Sequence, residues 1–139
     1  MTASIIPPIG FGTWPLKDEV ARDSVAMALD CGFRHIDTAQ AYDNEKAVGE
    51  GLRASGLRRE EIFLVTKVHF DNLAKSKFLP SVRASLEALK VGAVDLLLIH
   101  WPPRDATLFD PAIDLLCEAQ GLGLTKHVGV SNYTPKLLR

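Results

Sequence analysis

The chain has 139 residues, 47% of them hydrophobic and 24% charged, which suits one globular domain and leaves no room for two. Its 16 basic and 17 acidic side chains nearly cancel, to a net charge of −1, so it presents no basic footprint for nucleic acid or an anionic membrane surface. The longest apolar run, around Leu96 to Ile99, is far short of the ~20 residues that span a bilayer, and Met1-Thr2-Ala3-Ser4 lacks the basic and apolar regions of a signal peptide.

A first strand is expected from Ile9 to Trp14. A helix follows from about Lys17 to Cys31, with Val20, Ala21, Val25, Ala28 and Leu29 as its apolar stripe and Gly32 to end it. Phe33 to Thr38 reads as a second strand. Asn44 to Ser55 reads as a helix with Ala47, Val48 and Leu52 on one face and Gly56 beyond its end. Ile62 to Lys67 is rich in β-formers. The next helix has Pro80 near its first turn, Leu79, Val82, Leu86 and Leu89 on its buried stripe, and Gly92 as its terminator.

Val94 to His100 is an almost unbroken apolar strand, of the kind covered on both faces. Asp110 as cap and Pro111 in the first turn open a helix carrying Leu115, Leu116 and Ala119, and Lys126 to Val130 is a fifth strand. Thr134 and Pro135 then read as the cap and first turn of a further helix. Cys31 and Cys117 lie in apolar helical stretches without metal-type spacing, and two buried free thiols of a reducing cytoplasm are expected. Strands alternating with amphipathic helices imply a parallel sheet with right-handed crossovers. A barrel and an open doubly wound sheet both satisfy that pattern.

Polar residues recur where the strands end. Asp37, Lys67, His100 and Ser131-Asn132 each close an apolar strand, at separations of 30, 33 and 31 residues. One polar group per strand-helix unit, always at the carboxyl end, is how both architectures assemble sites. Tyr42 lies five residues beyond Asp37 in the same loop. A phenol, with an ordinary pKa of ~10, is a poor proton donor at neutral pH. A neighbouring ammonium favours loss of its proton, and a carboxylate keeps the ammonium charged and oriented. Asp37, Lys67 and Tyr42 thus form a candidate tuned acid, and His100 a candidate donor to a carbonyl oxygen.

These blocks resemble the aldo-keto reductase family. The resemblance rests on Phe11-Gly12-Thr13-Trp14, Gly32 through Ala39, Tyr42-Asp43-Asn44-Glu45 with Val48-Gly49, Phe63 through Lys67, Val94 through Pro102, and Gly129 through Tyr133. It runs over essentially the whole chain, and the short amino terminus with Asn44-Glu45 is similar to the small prokaryotic branch. It implies a (β/α)8 TIM barrel, of which 1–139 is a single, incomplete domain supplying five strands and four helices. It implies NADPH-dependent reduction of aldehydes or ketones, with NADH the other cofactor left open.

In that family pattern Tyr42 donates the proton, Lys67 and Asp37 tune it, and His100 orients the carbonyl. Ser131 and Asn132 would hydrogen-bond the nicotinamide carboxamide, backbone around Gly12 and Thr13 would touch the cofactor, and Trp14 and Trp101 would wall the substrate pocket. No metal is expected. His35, on the same side of its strand as Asp37, is read as a structural histidine.

Three other readings of the same residues stand beside this one: a metal-dependent hydrolase barrel using His35, Asp37 and His100; a Schiff-base enzyme acting through Lys67; and a non-catalytic, cofactor-binding regulatory module on the same fold. Gly10-Phe11-Gly12 is no dinucleotide fingerprint, since Pro15 stands where the helix should open. A complete barrel of this kind needs ~200 residues or more. The chain by itself is therefore expected to be inactive, and to self-associate or to require a carboxyl-terminal half.

Overall fold

In the computed structural model of the chain, residues 5–138 are described; the expectations placed on Met1 to Ser4 and on Arg139 lie outside them. Five strands alternate with four helices: β1 (Phe11–Gly12), α1 (Asp18–Asp30), β2 (His35–Asp37), α2 (Glu45–Ala54), β3 (Phe63–Val68), α3 (Lys75–Leu89), β4 (Val94–Ile99), α4 (Phe109–Gly121) and β5 (Thr125–Val130). All neighbouring strands pair parallel, in the order β1-β2-β3-β4-β5. A doubly wound sheet reverses its strand order at a switch point. Here the order never reverses, and α1 packs on α2, α2 on α3, and α3 on α4. The result is an α/β half-barrel.

Alternation along each strand sorts the side chains between two faces. Leu64 and Val68 of β3 and Leu97 and Ile99 of β4 point to the helices and join Val25, Leu29, Val48, Phe78, Val82 and Leu116 in one core. The other face carries Asp37, Lys67, Leu96 and Leu98. Leu96 and Leu98 are only half-buried, so β4 is not covered on both faces as its apolar run suggested. Five strands cover that inner side only in part.

The regular elements are shorter than their sequence patterns. Ile9 and Trp14 are exposed and flank a two-residue β1, and Val20 lies outside the buried stripe Ala21, Val25, Ala28 and Leu29. Gly32 and Gly56 do follow α1 and α2 with positive φ. The terminator of α3 is Lys90 in the left-handed region, not Gly92, and its N–H bonds the carbonyls of Glu87 and Leu86. Because α3 begins at Lys75, Pro80 sits in its second turn, and the fully buried Phe78 joins the stripe, with Leu79 partly buried against the same core.

Asp110 does not cap α4. A short 3-10 turn, Ala106–Leu108, precedes that helix and is capped by Asp105, whose carboxylate accepts from Thr107 N–H. Asp110 instead adds negative charge to the first turn of α4. Residues 135–138 form a turn closed by Leu137 N–H to Thr134 C=O, too short for a helical ladder. Both cysteines are free but exposed: Cys31 caps α1, and Cys117 falls opposite the buried Ala112, Leu115, Leu116 and Ala119 stripe.

Two helical glycines are explained by close approach. A Cβ on Gly49 would lie 2.5 Å from the carbonyl oxygen of Leu89, and one on Gly51 2.5 Å from that of Arg22. Backbone cannot yield as a flexible side chain does, so Gly49→Ala is expected to cost roughly 1–3 kcal/mol. A lower urea midpoint with an unchanged slope would show it, whereas an unaltered midpoint would mean that α2 and α3 are not in this contact.

At the amino ends of the strands, Asp95 accepts from Leu64 N–H at 2.9 Å and pairs with Arg59 at 2.6 Å and Lys126 at 2.7 Å. Burial works against its charge, but hydrogen bonds from Lys126, Leu64 and Arg59 outweigh that and hold its carboxyl below the usual range. Asp95 thus ties β3, β4 and β5 together at this end, as suits a structural face.

Candidate active site

The opposite end is chemically different. Asp37 ends β2 and Lys67 lies next to last in β3, both on the inner side, and His100 follows β4 directly. Lys67, only 6% exposed, donates to Asp37 Oδ2 at 2.7 Å, Thr38 O at 3.0 Å and Tyr42 Oη at 3.2 Å. Three donors thus meet three acceptors, an environment built for an ammonium. The same nitrogen lies 4.8 Å from the centre of the Tyr42 ring.

Tyr42 closes a 3-10 turn, Gln40–Tyr42, in the loop after β2. Its ring stands edge-on to His100 with centroids 5.5 Å apart, and 5.4 Å from the ring of Trp14. Trp14, Ala41, Tyr42, His100 and Trp101 line a hollow of about 340 Å³. Burial holds the His100 imidazole below its ordinary range, the charge of Lys67 adds to this, and Asp37 pulls the other way. Both the burial and the charge of Lys67 favour the neutral ring. Its Nδ1 is enclosed without a partner among the described residues. A hydrogen placed there would be stranded, so the single N–H belongs on Nε2.

Ser131 and Asn132 follow β5. Asn132, at φ 63, donates from Nδ2 to His100 O at 2.7 Å and to Ser131 Oγ at 3.0 Å. That leaves the Ser131 hydroxyl hydrogen to donate and Asn132 Oδ1 to accept, the pair of functions that a carboxamide requires. Gly12 is exposed, with open space where a Cβ would be. Thr13 is not available in the same way. It is wholly buried, its N–H bonds Asp37 O, and its carbonyl accepts from Leu16 N and Asn44 Nδ2. Its backbone has no polar group to spare.

His35 packs edge-on to Phe63 at 5.3 Å and against Gly10, away from the hollow. Among the described residues no three His, Cys, Asp or Glu side chains stand together as a metal site would require, so His35, Asp37 and His100 do not assemble as ligands. Three residues next to the site were not anticipated from the sequence. Gln40 accepts from His69 N–H and Asn72 and donates to Ser81 and Ser85. Lys17 donates to Tyr42 O at 2.6 Å. Asn44 bonds the loop after β1. Each holds the loop that carries Tyr42, and only the place of Asn44 in a recurring block hinted at a role.

The sequentially ordered parallel strands form half of a (β/α) barrel, and the Lys67, Asp37 and Tyr42 cluster stands at their carboxyl ends. The chain belongs to the Aldo/keto reductase family, whose family model matches residues 8–139. It is 47% identical over 135 residues to the methylglyoxal reductase DkgB of Yersinia pestis, covering 96% of this chain and 51% of that protein. It is 44% identical to an aldo-keto reductase of Mycolicibacterium vanbaalenii, covering 92% and 46%. Among solved structures, an aldo/keto reductase from Brucella melitensis superimposes with a TM-score of 0.92 at 38% identity, over 96% of this chain and 52% of that one. A putative 2,5-diketo-D-gluconic acid reductase B gives 0.88 at 40% identity, over 96% and 47%. The chain spans about half the length of the relatives it matches. Among the described residues no helix is long and apolar enough to cross a membrane.

Proposed function

We propose that the protein reduces small aldehydes or ketones to alcohols with NADPH, and that Tyr42 is the proton donor. The observation that carries this reading is the Lys67 ammonium, held by Asp37 and placed 3.2 Å from the Tyr42 hydroxyl at the edge of an aromatic hollow. A nicotinamide bound beside Ser131 and Asn132 would supply the hydride for the carbonyl carbon. Tyr42 gives its proton to the carbonyl oxygen, and Lys67 stabilises the phenolate left behind. His100, neutral, donates from Nε2 to the same oxygen and aligns the carbonyl for attack. Trp14 and Trp101 exclude water from the two sides of the hollow. Ser131 and Asn132 would hold the cofactor carboxamide, with the backbone at Gly12 beside it.

In this reading residues 1–139 are one unit of a larger barrel, and further strands meet the half-covered inner face. A cytoplasmic location goes with it, since that is where reduced nicotinamide is supplied. The test is a purified full-length protein mixed with NADPH and methylglyoxal, without added metal, with nicotinamide absorbance followed over time. Oxidation of the cofactor is expected. Activity that chelators abolish and zinc restores, or borohydride trapping of substrate on Lys67, would overturn the proposal.

A further inference from the structure

The Asn44-Glu45 pair is part of the family resemblance, yet neither side chain lines the hollow. Glu45 turns to the helix side of the sheet and accepts from Thr66 Oγ1 at 2.5 Å. Asn44 turns the other way. It is 3% exposed, and its Nδ2 donates to Leu16 O at 3.0 Å, Thr13 O at 3.1 Å and Thr13 Oγ1 at 3.3 Å. Its Oδ1 accepts from Thr38 Oγ1 at 2.7 Å. Thr38 in turn offers its carbonyl to Lys67 Nζ at 3.0 Å.

One buried amide thus ties the loop that carries Trp14 to the residue that receives Lys67, two positions beyond Tyr42. The step between Tyr42 and Asn44 is Asp43, at φ 49, a left-handed turn residue of the kind that Asp tolerates. Lys17 holds the near side of that step through Tyr42 O, and Asn44 holds the far side.

We propose that Asn44 is a positioning residue, its amide oriented by Thr38, which sets the Tyr42 phenol against Lys67 and against the Trp14 wall. The amide touches no reacting atom and acts through Tyr42. Misplacement of a donor by about 1 Å costs on the order of 10²-fold in rate. Asn44→Ala is therefore expected to lower kcat by roughly 10- to 100-fold while NADPH affinity stays near that of the parent. The solvent deuterium isotope effect on kcat should rise as proton transfer becomes the slower step, a change that lost stability alone would not produce.

The inference rests on the reductase reading, so Tyr42→Phe is measured beside it in full-length protein with NADPH and methylglyoxal. Thr38→Val keeps the shape and removes the hydroxyl that orients the amide; a smaller kcat loss is expected, with Thr38→Ser recovering most of it. If Asn44→Ala does not fold, the two Thr38 variants decide the matter. Unchanged kcat per folded molecule, or a loss confined to KM, overturns the role of Asn44 while Tyr42→Phe remains inactive. Turnover retained in Tyr42→Phe would overturn the donor assignment and this inference together.

Discussion

Tyr42→Phe in the full-length protein is expected to lower turnover by roughly 10² to 10⁴ while cofactor affinity is nearly unchanged. The substitution removes one oxygen and little volume. The ring keeps its neighbours, Trp14 at 5.4 Å and His100 at 5.5 Å, and its face remains near Lys67, so the loop should hold its place. What disappears is the hydroxyl 3.2 Å from Lys67 Nζ, which in the proposed mechanism protonates the carbonyl oxygen as the hydride adds. A group needed only in the transition state lowers kcat and kcat/KM together. Steady-state kinetics with methylglyoxal, set beside fluorescence titration with NADPH, separate the two quantities. Near-normal kcat would remove Tyr42 from the donor role, and weakened NADPH binding with normal kcat would make it a cofactor contact instead.

The strands were far more legible in the sequence than the loops, for a physical reason. Strand side chains alternate with a period of two, so an apolar run ending in Asp37, Lys67 or His100 gives both the end of the sheet and the side on which the polar group stands. The observed order β1 to β5 then removes the doubly wound alternative. Helix faces were legible by the same logic at their own period, apart from outlying positions such as Val20, which is 62% exposed. Cys117 looked apolar by its neighbours, but it lies on the outward side of α4, outside the buried stripe of Ala112, Leu115, Leu116 and Ala119.

Boundaries and loops obeyed other forces. Helix α3 starts at Lys75 and ends at the left-handed Lys90, so Pro80 and Gly92 were imprecise cues to its ends. Gln40, Lys17 and Asn44 act through hydrogen bonds to residues 25 to 45 positions away, which no local pattern encodes. Gly49 and Gly51 are explained only by the carbonyls of Leu89 and Arg22 that lie against them. The polar residues of the site could thus be read from the sequence, while the residues that hold Tyr42 in place emerged only from the fold.

Lys67→Met should reduce turnover to a degree comparable with Tyr42→Phe, about 10² to 10⁴, and the double variant reveals how it acts. Methionine matches the length and the apolar stem of lysine, so packing against the strand is kept. The ammonium is lost, and with it the charge that in the proposed mechanism meets the developing phenolate. The buried carbonyl of Thr38 also loses a donor, which adds a stability cost on the order of 1–3 kcal/mol; denaturation must accompany the kinetics so that activity is counted per folded molecule. Asp37 is 30% exposed at its side chain, and water can take over its hydrogen bond. If Lys67 works through Tyr42, removing it from a protein that already lacks the hydroxyl costs little more, because the two residues act as a unit. Tyr42→Phe/Lys67→Met should then be about as slow as either single variant. Full multiplication of the two losses would show that Lys67 contributes by a separate route, as an amine that attacks the carbonyl would, and borohydride reduction in the presence of substrate would then leave a stable adduct on Lys67.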